Sequence, residues 1–402
     1  MKRRIKDNQT NMVYTVKTYN NINKIGLREL GNGFQIDGDH KENPDAYIIR
    51  SENLHGATLP ENLVAIARAG AGTNNIPIDV ATDQGIVVFN TPGANANAVK
   101  EAVLASTLLS ARDYIGATSW VNTLTGDDVP EQVEAGKKQF AGSEIAGKTL
   151  GVIGLGAIGA RIANDAVRLG MNVIGYDPYV SVETAWGLNR AIIRATEIHD
   201  VFKNSDYITI HVPLTEETRN TFDREAFDLM GKDVTVINFA RGELVDNTAL
   251  FDAIETGVVK RYITDFGTED LLNKDKITVL PHVGGSTEEA ELNCAIMAGQ
   301  TIRRFMETGE IINSVNFPNV KQVLTTPFRI TLINNNVPNI VARISTRVSD
   351  AGINISNIIN RSKNDHAYTL LDLDESDEQK VQALADEFNK SEHIVKVRII
   401  KK

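Results

Sequence analysis

The chain has 402 residues, of which 42% are hydrophobic and 23% charged; these are the proportions of a globular protein, and they exclude a collagen-like or largely disordered one. Basic side chains number 42 against 52 acidic, a formal net charge of −10, which speaks against nucleic acid as a partner while leaving room for a small cationic pocket. The length suggests two or three domains at about 150 residues each, and no run of about 18 apolar residues is present to cross a bilayer.

The opening MKRRIKDNQTN is basic but is followed by polar residues, so it lacks the pattern of a secretory signal, and a cytoplasmic chain is expected. These first residues read as a tail, with Met12 as an alternative start. MVYTVKTYN then reads as a first strand. DAYIIR, LVAIARAG and GIVVFN follow as strands, and residues 97–113 as a helix with Val99, Val103, Leu108 and Leu109 at near-helical spacing. TLGVIG, NVIGYD, YITIHVP, VTVINFA and ITVLPH continue the strand pattern with helices between. This alternation predicts parallel sheets covered on both faces. Cys294 is the only cysteine; it can form no intrachain disulfide, gives no metal-ligand cluster, and reads as a packed side chain on a helix. No metal is expected. Phe317–Pro327, which contains Pro318 and Pro327 and shows no period, reads as a linker. Beyond it FRITLINN, NIVARISTRVSDAG, NISNIINRS, HAYTLLDLD, DEQKVQALADEFNK and IVKVRIIK spell βαββαβ, a ferredoxin-like unit.

The strongest local signal is TLGVIGLGAIGARIANDAVRLG. Gly154, Gly156 and Gly159 form G-x-G-x-x-G between a strand and a helix. The first allows the tight turn, the second lets backbone approach a pyrophosphate, and the third lets helix and strand pack closely, with the helix N-terminus facing the phosphates. The next strand ends in Asp177, 18 residues past Gly159, where a carboxylate accepts from ribose hydroxyls and repels a 2′-phosphate. The cofactor expected is therefore NAD rather than NADP. His211, at the end of the following strand, is either a loop histidine without chemistry or a backbone contact to the adenosine half.

Three further segments put polar residues where strands give way to loops. VINFARGELVD places Asn238 and Arg241, TDFGTED places Asp265 and Glu269, and VLPHVGGST places His282 ahead of Gly284 and Gly285. In a doubly wound sheet such strand ends line one crevice. The three residue types suit hydride transfer between a nicotinamide and a 2-hydroxy acid. A histidine takes the hydroxyl proton, a glutamate behind it fixes the tautomer and stabilises the imidazolium, and an arginine holds the carboxylate and polarises the keto oxygen.

GKTLGVIGLGAIGARIA, HVPLTEETRN, NFARGELVD and PHVGGSTEEA resemble the signatures of the D-isomer-specific 2-hydroxyacid dehydrogenases, and the likeness covers almost the whole chain after Met12. INNNVPNIVARI and AGINISNI resemble an ACT domain. The resemblance implies a Rossmann-type NAD domain (97–285) inserted in a flavodoxin-like α/β substrate domain (1–96 and 286–320), with an ACT unit at 326–402. RAGAGTNNIPIDVATDQGIVVFNTPGANANAVKE narrows the likeness to family members that oxidise 3-phospho-D-glycerate to 3-phosphohydroxypyruvate, the first step of L-serine biosynthesis.

It also implies catalytic roles for Arg241, Glu269 and His282. NAD would contact Gly154, Gly156, Ala157, Ile158, Asp177, His211, Val212, Pro213, Ala240, Asp265, His282 and Gly284. Substrate would contact Arg50, Ser51, Gly72, Asn95, Arg241 and His282. Arg50 follows an apolar strand and is a good phosphate ligand by geometry; Lys100 is a second candidate cation that, on a helix, could be exposed. The family pattern departs in four places. Asp265 stands four residues before Glu269 rather than five, and Asp270 replaces a proline. Asn334 and Asn339 stand where serine-binding ACT domains often carry His and Gly, whereas Asn336 and Asn354 match. The implied partners are a small anionic 2-hydroxy or 2-keto acid and L-serine or another amino acid as effector. A homodimer or homotetramer is implied, with the ACT unit as regulator or only as assembly module. A related activity on 2-hydroxyglutarate, glycerate or lactate, and a non-catalytic NAD sensor, stay open as alternatives.

Overall fold

The computed structural model describes residues 14–37 and 43–402, so the basic tail and the choice between Met1 and Met12 lie outside the described residues. Contacts divide the chain into two compact units, one of residues up to 94 together with 291–402, the other of residues 95–290.

The first unit opens with β1 (Tyr14–Thr18), β2 (Phe34–Ile36), β3 (Ala46–Ile49), β4 (Ala65–Arg68) and β5 (Val87–Phe89), paired in the order β2-β1-β3-β4-β5. All pairings are parallel. This is the flavodoxin-like order expected from the sequence. Both faces are covered, so the strands read as near-continuous apolar runs rather than alternating ones. Ala46, Ile48, Val87 and Phe89 face one core with Cys294, Ala298, Ile302 and Phe305; Tyr47, Ile49 and Val88 face another with Leu54, Leu63 and Ile86. The Glu288–Thr308 helix supplies that first set of partners, and Cys294 is buried at 5% exposure, a packing residue as expected.

The second unit holds β6 (Thr149–Ile153), β7 (Asn172–Tyr176), β8 (Ile193–Arg194), β9 (Tyr207–Ile210), β10 (Val234–Asn238), β11 (Val259–Thr264) and β12 (Ile277–Val279). Their order is β12-β11-β10-β9-β6-β7-β8, a doubly wound sheet whose order reverses between β6 and β9. The expected helix at 97–113 is Ala96–Ala111; it buries Val99 and Val103, but Leu108 and Leu109 face outward at 45% and 41% exposure.

The C-terminal residues of the first unit form β13 (Phe328–Asn335), β14 (Asn354–Lys363), β15 (His366–Asp374) and β16 (Ile394–Lys401), antiparallel in the order β14-β15-β13-β16. With helices Ile340–Asp350 and Glu378–Asn389 this is the ferredoxin-like βαββαβ of the sequence reading. Ile340, Ile344 and Val348 recur every fourth residue and meet Ile330, Leu332 and Leu371 on one face of the sheet.

The opposite face is also covered. Ile333, Tyr368 and Leu370 join the core of Phe305, Met306 and Ile311. Carbonyls at the end of the long helix and just past it are satisfied from this sheet. Arg398 donates to Met306 O at 3.2 Å, Arg329 Nη1 to Thr308 O at 2.6 Å and Tyr368 Oη to Gly309 O at 2.7 Å. Arg329 also forms a two-point pair with Asp372, Nε–Oδ1 2.5 Å and Nη2–Oδ2 2.9 Å, with both side chains essentially fully buried. The segment from Phe317 to Pro327 holds no regular element but is anchored, with Phe317 and Val320 each 1% exposed.

Candidate active site

At the end of β6 the chain turns through Gly154, at φ +87°, with its amide donating to Tyr176 O at 2.8 Å. A side chain at Gly154 would meet the His211 backbone, and one at Gly159 would run into the carbonyl oxygen of Gly154. At Gly156, by contrast, a Cβ would meet no atom within 4 Å. The middle glycine therefore leaves bare backbone facing open space, which is the cradle a pyrophosphate needs. Ala157 and Ile158 lead from it into the Gly159–Arg168 helix, Ile158 as its N-cap.

Asp177, one residue past β7, ties the same turn together. One carboxylate oxygen accepts from Leu155 N at 2.9 Å and the other from Tyr179 N at 2.8 Å. Each oxygen keeps a lone pair for a ribose hydroxyl. His211 follows β9 on the other side of the switch point. Its Nε2 lies 2.8 Å from Thr209 Oγ1, its Nδ1 is buried without a partner, and burial pushes its pKa down to about 3. Val212 and Pro213 continue this loop, and Pro213 O accepts from Thr218 Oγ1 at 2.6 Å.

Asn238, the last residue of β10, is fully buried and organises the next loop: its Oδ1 accepts from Ala240 N at 3.0 Å and its Nδ2 donates to Arg241 O at 2.8 Å. Arg241 is exposed and, among the described residues, its Nη1 reaches its neighbour, Ala240 O, at 2.6 Å. Beyond β11, Asp265 is buried; its Oδ2 accepts from Gly284 N at 2.9 Å and its Oδ1 has no partner. Burial pushes its pKa up, opposed by the Gly284 amide and the positive charges of His282 and Arg241. Beyond β12, His282 stands in the left-handed region at φ +52°, its ring 4.8 Å from that of Phe266. Few non-glycine residues adopt this conformation, and those that do cluster at functional sites.

β10, β11 and β12 thus deliver Arg241, Asp265 and His282 to one edge of one sheet. Glu269 comes with them in sequence but not in contact, since no hydrogen bond or ion pair joins it to His282 among the described residues. In the loop that carries it, Asp270 accepts from Thr268 Oγ1 at 2.5 Å and from Asn247 Nδ2 at 2.8 Å. A cavity of about 1100 Å³ lies along this edge, lined in part by Gly242, Asp265, Phe266, Thr268 and His282. Asn95 caps the Ala96–Ala111 helix without a side-chain bond, and its amide lies against Gly285. Lys100 is not a free cation: it pairs with Asp165 at 3.0 Å and is 15% exposed.

In the other unit Arg50 follows β3. Its main chain is fixed by Asn20 Oδ1, which accepts from the amides of Arg50, Ser51 and Glu52 at 3.3, 2.9 and 2.9 Å, while Arg68 Nε donates to Arg50 O at 3.1 Å. Its side chain pairs with Glu291 at 2.5 Å. Gly72 lies in the loop after β4. Neither Asn20 nor Glu291 was singled out by sequence reasoning. The one signal for Asn20 was an asparagine just past a strand end, a residue type that tolerates its φ of +66°. In the C-terminal module Asn336 Nδ2 donates to Asn364 O at 3.1 Å, Asn354 is exposed, and Asn339 takes a left-handed φ of +68° without the glycine of relatives.

The glycine turn, the Asp177 carboxylate beside it and the Arg–Asp–His edge fit a dinucleotide-dependent oxidoreductase. Residues 106–284 match the family described as D-isomer specific 2-hydroxyacid dehydrogenase, NAD binding domain. The chain is 36% identical over 277 residues to a hydroxypyruvate reductase of Thermotoga maritima, covering 66% of this chain and 85% of that one. It is 37% identical over 268 residues to a D-3-phosphoglycerate dehydrogenase of Methanocaldococcus jannaschii, covering 65% and 49%. Solved structures share the fold: the NAD+-bound 3-phosphoglycerate dehydrogenase of Entamoeba histolytica at TM-score 0.58 and 24% identity (76% and 99% covered), and the holo D-mandelate dehydrogenase of Rhodotorula graminis at 0.64 and 21% (77% and 99%). The chain belongs to the D-isomer specific 2-hydroxyacid dehydrogenase family. It spans about half the length of the curated D-3-phosphoglycerate dehydrogenases it matches.

Proposed function

We propose that the chain oxidises 3-phospho-D-glycerate to 3-phosphohydroxypyruvate with NAD. The observation that carries the chemistry is the delivery of Arg241 and His282 to one sheet edge around the buried Asp265. The dinucleotide, when bound, supplies the hydride acceptor. Gly154, Gly156, Ala157 and Ile158 cradle its phosphates, Asp177 accepts from its ribose, and the His211–Pro213 loop and Ala240 flank it. The unpartnered Asp265 Oδ1, beside Gly284, offers an acceptor to an amide donor, which fits a carboxamide.

His282 takes the proton of the substrate hydroxyl, and Arg241 holds the carboxylate and polarises the product carbonyl. Glu269 serves as the partner of His282. Arg50, Ser51, Gly72 and Asn95 are the further substrate contacts of this reading, with Arg50 for the distal anion. The C-terminal module is read as an ACT unit with Asn336 and Asn354 as effector contacts, in a cytoplasmic homo-oligomer serving serine biosynthesis. The likeness to the Thermotoga maritima protein, matched over most of its length, favours a second reading, reduction of hydroxypyruvate.

The test is NADH oxidation followed at 340 nm with 3-phosphohydroxypyruvate, hydroxypyruvate, glyoxylate and 2-ketoglutarate. The phosphorylated acid is expected to give the highest kcat/KM. A preference for hydroxypyruvate supports the second reading, and no turnover on any of the four sinks both.

A further inference from the structure

We infer that Glu291 is a specificity-determining residue, a built-in competitor that moderates the preference of the Arg50 subsite for dianionic head groups. This rests on the reading above that Arg50 faces the distal end of the acid. Four observations, all within one unit, support it. The Arg50 backbone is held on both sides, by Asn20 at its amide and by Arg68 and Asn75 at its carbonyl, so only the side chain is adjustable. Glu291 Oε1 takes Arg50 Nη2 at 2.5 Å. The two side chains are 40% and 43% exposed, so a dissolved anion reaches the same guanidinium. Glu291 lies in the first turn of the Glu288–Thr308 helix, which fixes the carboxylate's origin.

A guanidinium already bridged by a carboxylate presents a neutral pair rather than a cation. A neutral hydroxymethyl group can dock beside that pair at little electrostatic cost. A phosphate monoester must either displace Glu291 or lie against it, and each unit of added like charge within several Å weakens binding by about tenfold at a partly solvated site. The arrangement thus sets the ratio of phosphorylated to unphosphorylated acid that the enzyme accepts. The substitution Glu291→Gln keeps the shape and the hydrogen bond to Arg50 while removing the charge.

The experiment measures kcat and KM of wild type and E291Q with 3-phosphohydroxypyruvate and hydroxypyruvate, and the calorimetric Kd of each for 3-phosphoglycerate. The phosphorylated-to-unphosphorylated ratio of kcat/KM is expected to rise about tenfold in E291Q, through KM rather than kcat, with the Kd falling in parallel. The rise should be absent from R50Q/E291Q, which separates this role from a structural one. An unchanged ratio, or equal changes for both acids, overturns the inference. If neither acid is turned over, the reaction assigned above fails. The calorimetric comparison then decides the role of Glu291 alone: tighter binding of 3-phosphoglycerate by E291Q sustains it, and equal or absent binding overturns it.

Discussion

Gly159 packs so closely on Gly154 that a side chain at Gly159 would run into the Gly154 carbonyl oxygen, whereas Gly156 between them faces open space. The two positions therefore separate fold from ligand. Gly159→Ala must push helix from strand and should cost about 1–3 kcal/mol, as overpacking does, together with NADH binding. Gly156→Ala should leave the thermal midpoint within a degree or two and weaken NADH binding at least about tenfold, because its methyl fills the cradle. Fluorescence titration of NADH beside thermal unfolding checks both; equal loss of stability in the two variants would contradict the assignment.

For His282, replacement by Ala should lower kcat by about 10²-fold or more while the Kd for NADH holds, the pattern of a lost acid/base group. Stopped-flow turnover and NADH titration give the two numbers. A rate within threefold of wild type would place the base elsewhere.

Arg329 and Asp372 form a buried pair whose remaining guanidinium donors reach Thr308 O and Gln322 O. Removing Arg329 alone strands a carboxylate in the core, and Arg329→Met should cost about 3–5 kcal/mol. The double variant R329M/D372L should recover part of that loss, since no charge is left unpaired. Denaturant midpoints of the full chain test the order; a double variant no better than the single would show that the carbonyl contacts, not the charge, dominate.

His211, whose Nδ1 is buried, gives a pH dependence of definite sign. Its folded pKa is about 3 against 6.5 for the free side chain, so between those values the unfolded chain holds a proton that the folded chain refuses. Stability therefore falls as pH drops below about 6.5, by up to about 1.4 kcal/mol per pH unit, and the loss levels off below about 3. His211→Asn lacks this titration. Its thermal midpoint should decline less between pH 7.5 and pH 5 than that of the wild type, and parallel declines would remove His211 as a source.

Much of the architecture was legible because it is written in local patterns. The glycine spacing after TLGVI, the Asp177 that follows NVIGY and the βαββαβ order after Pro327 each depend on residues near one another in sequence. What escaped depends on contacts between distant segments. Leu108 and Leu109 fit the helical period yet face outward, since the period does not say how wide a stripe the neighbours cover. Glu269 follows the family order, but the loop posture set by Asp270 and Asn247 is a tertiary matter. Lys100 looked exposed until Asp165, 65 residues later, closed on it. The Arg50–Glu291 pair spans 241 positions and no window could have joined them.

The sheet of the C-terminal module has no bare face, because Arg329, Tyr368 and Arg398 close the end of the long helix while Ile333 and Leu370 roof Phe305 and Met306. In evolutionary terms this makes the module a poor candidate for exchange. A recombination event that trimmed it away would unroof a hydrocarbon floor and strand three helix-end carbonyls, so a shorter descendant could arise only by resurfacing that floor first.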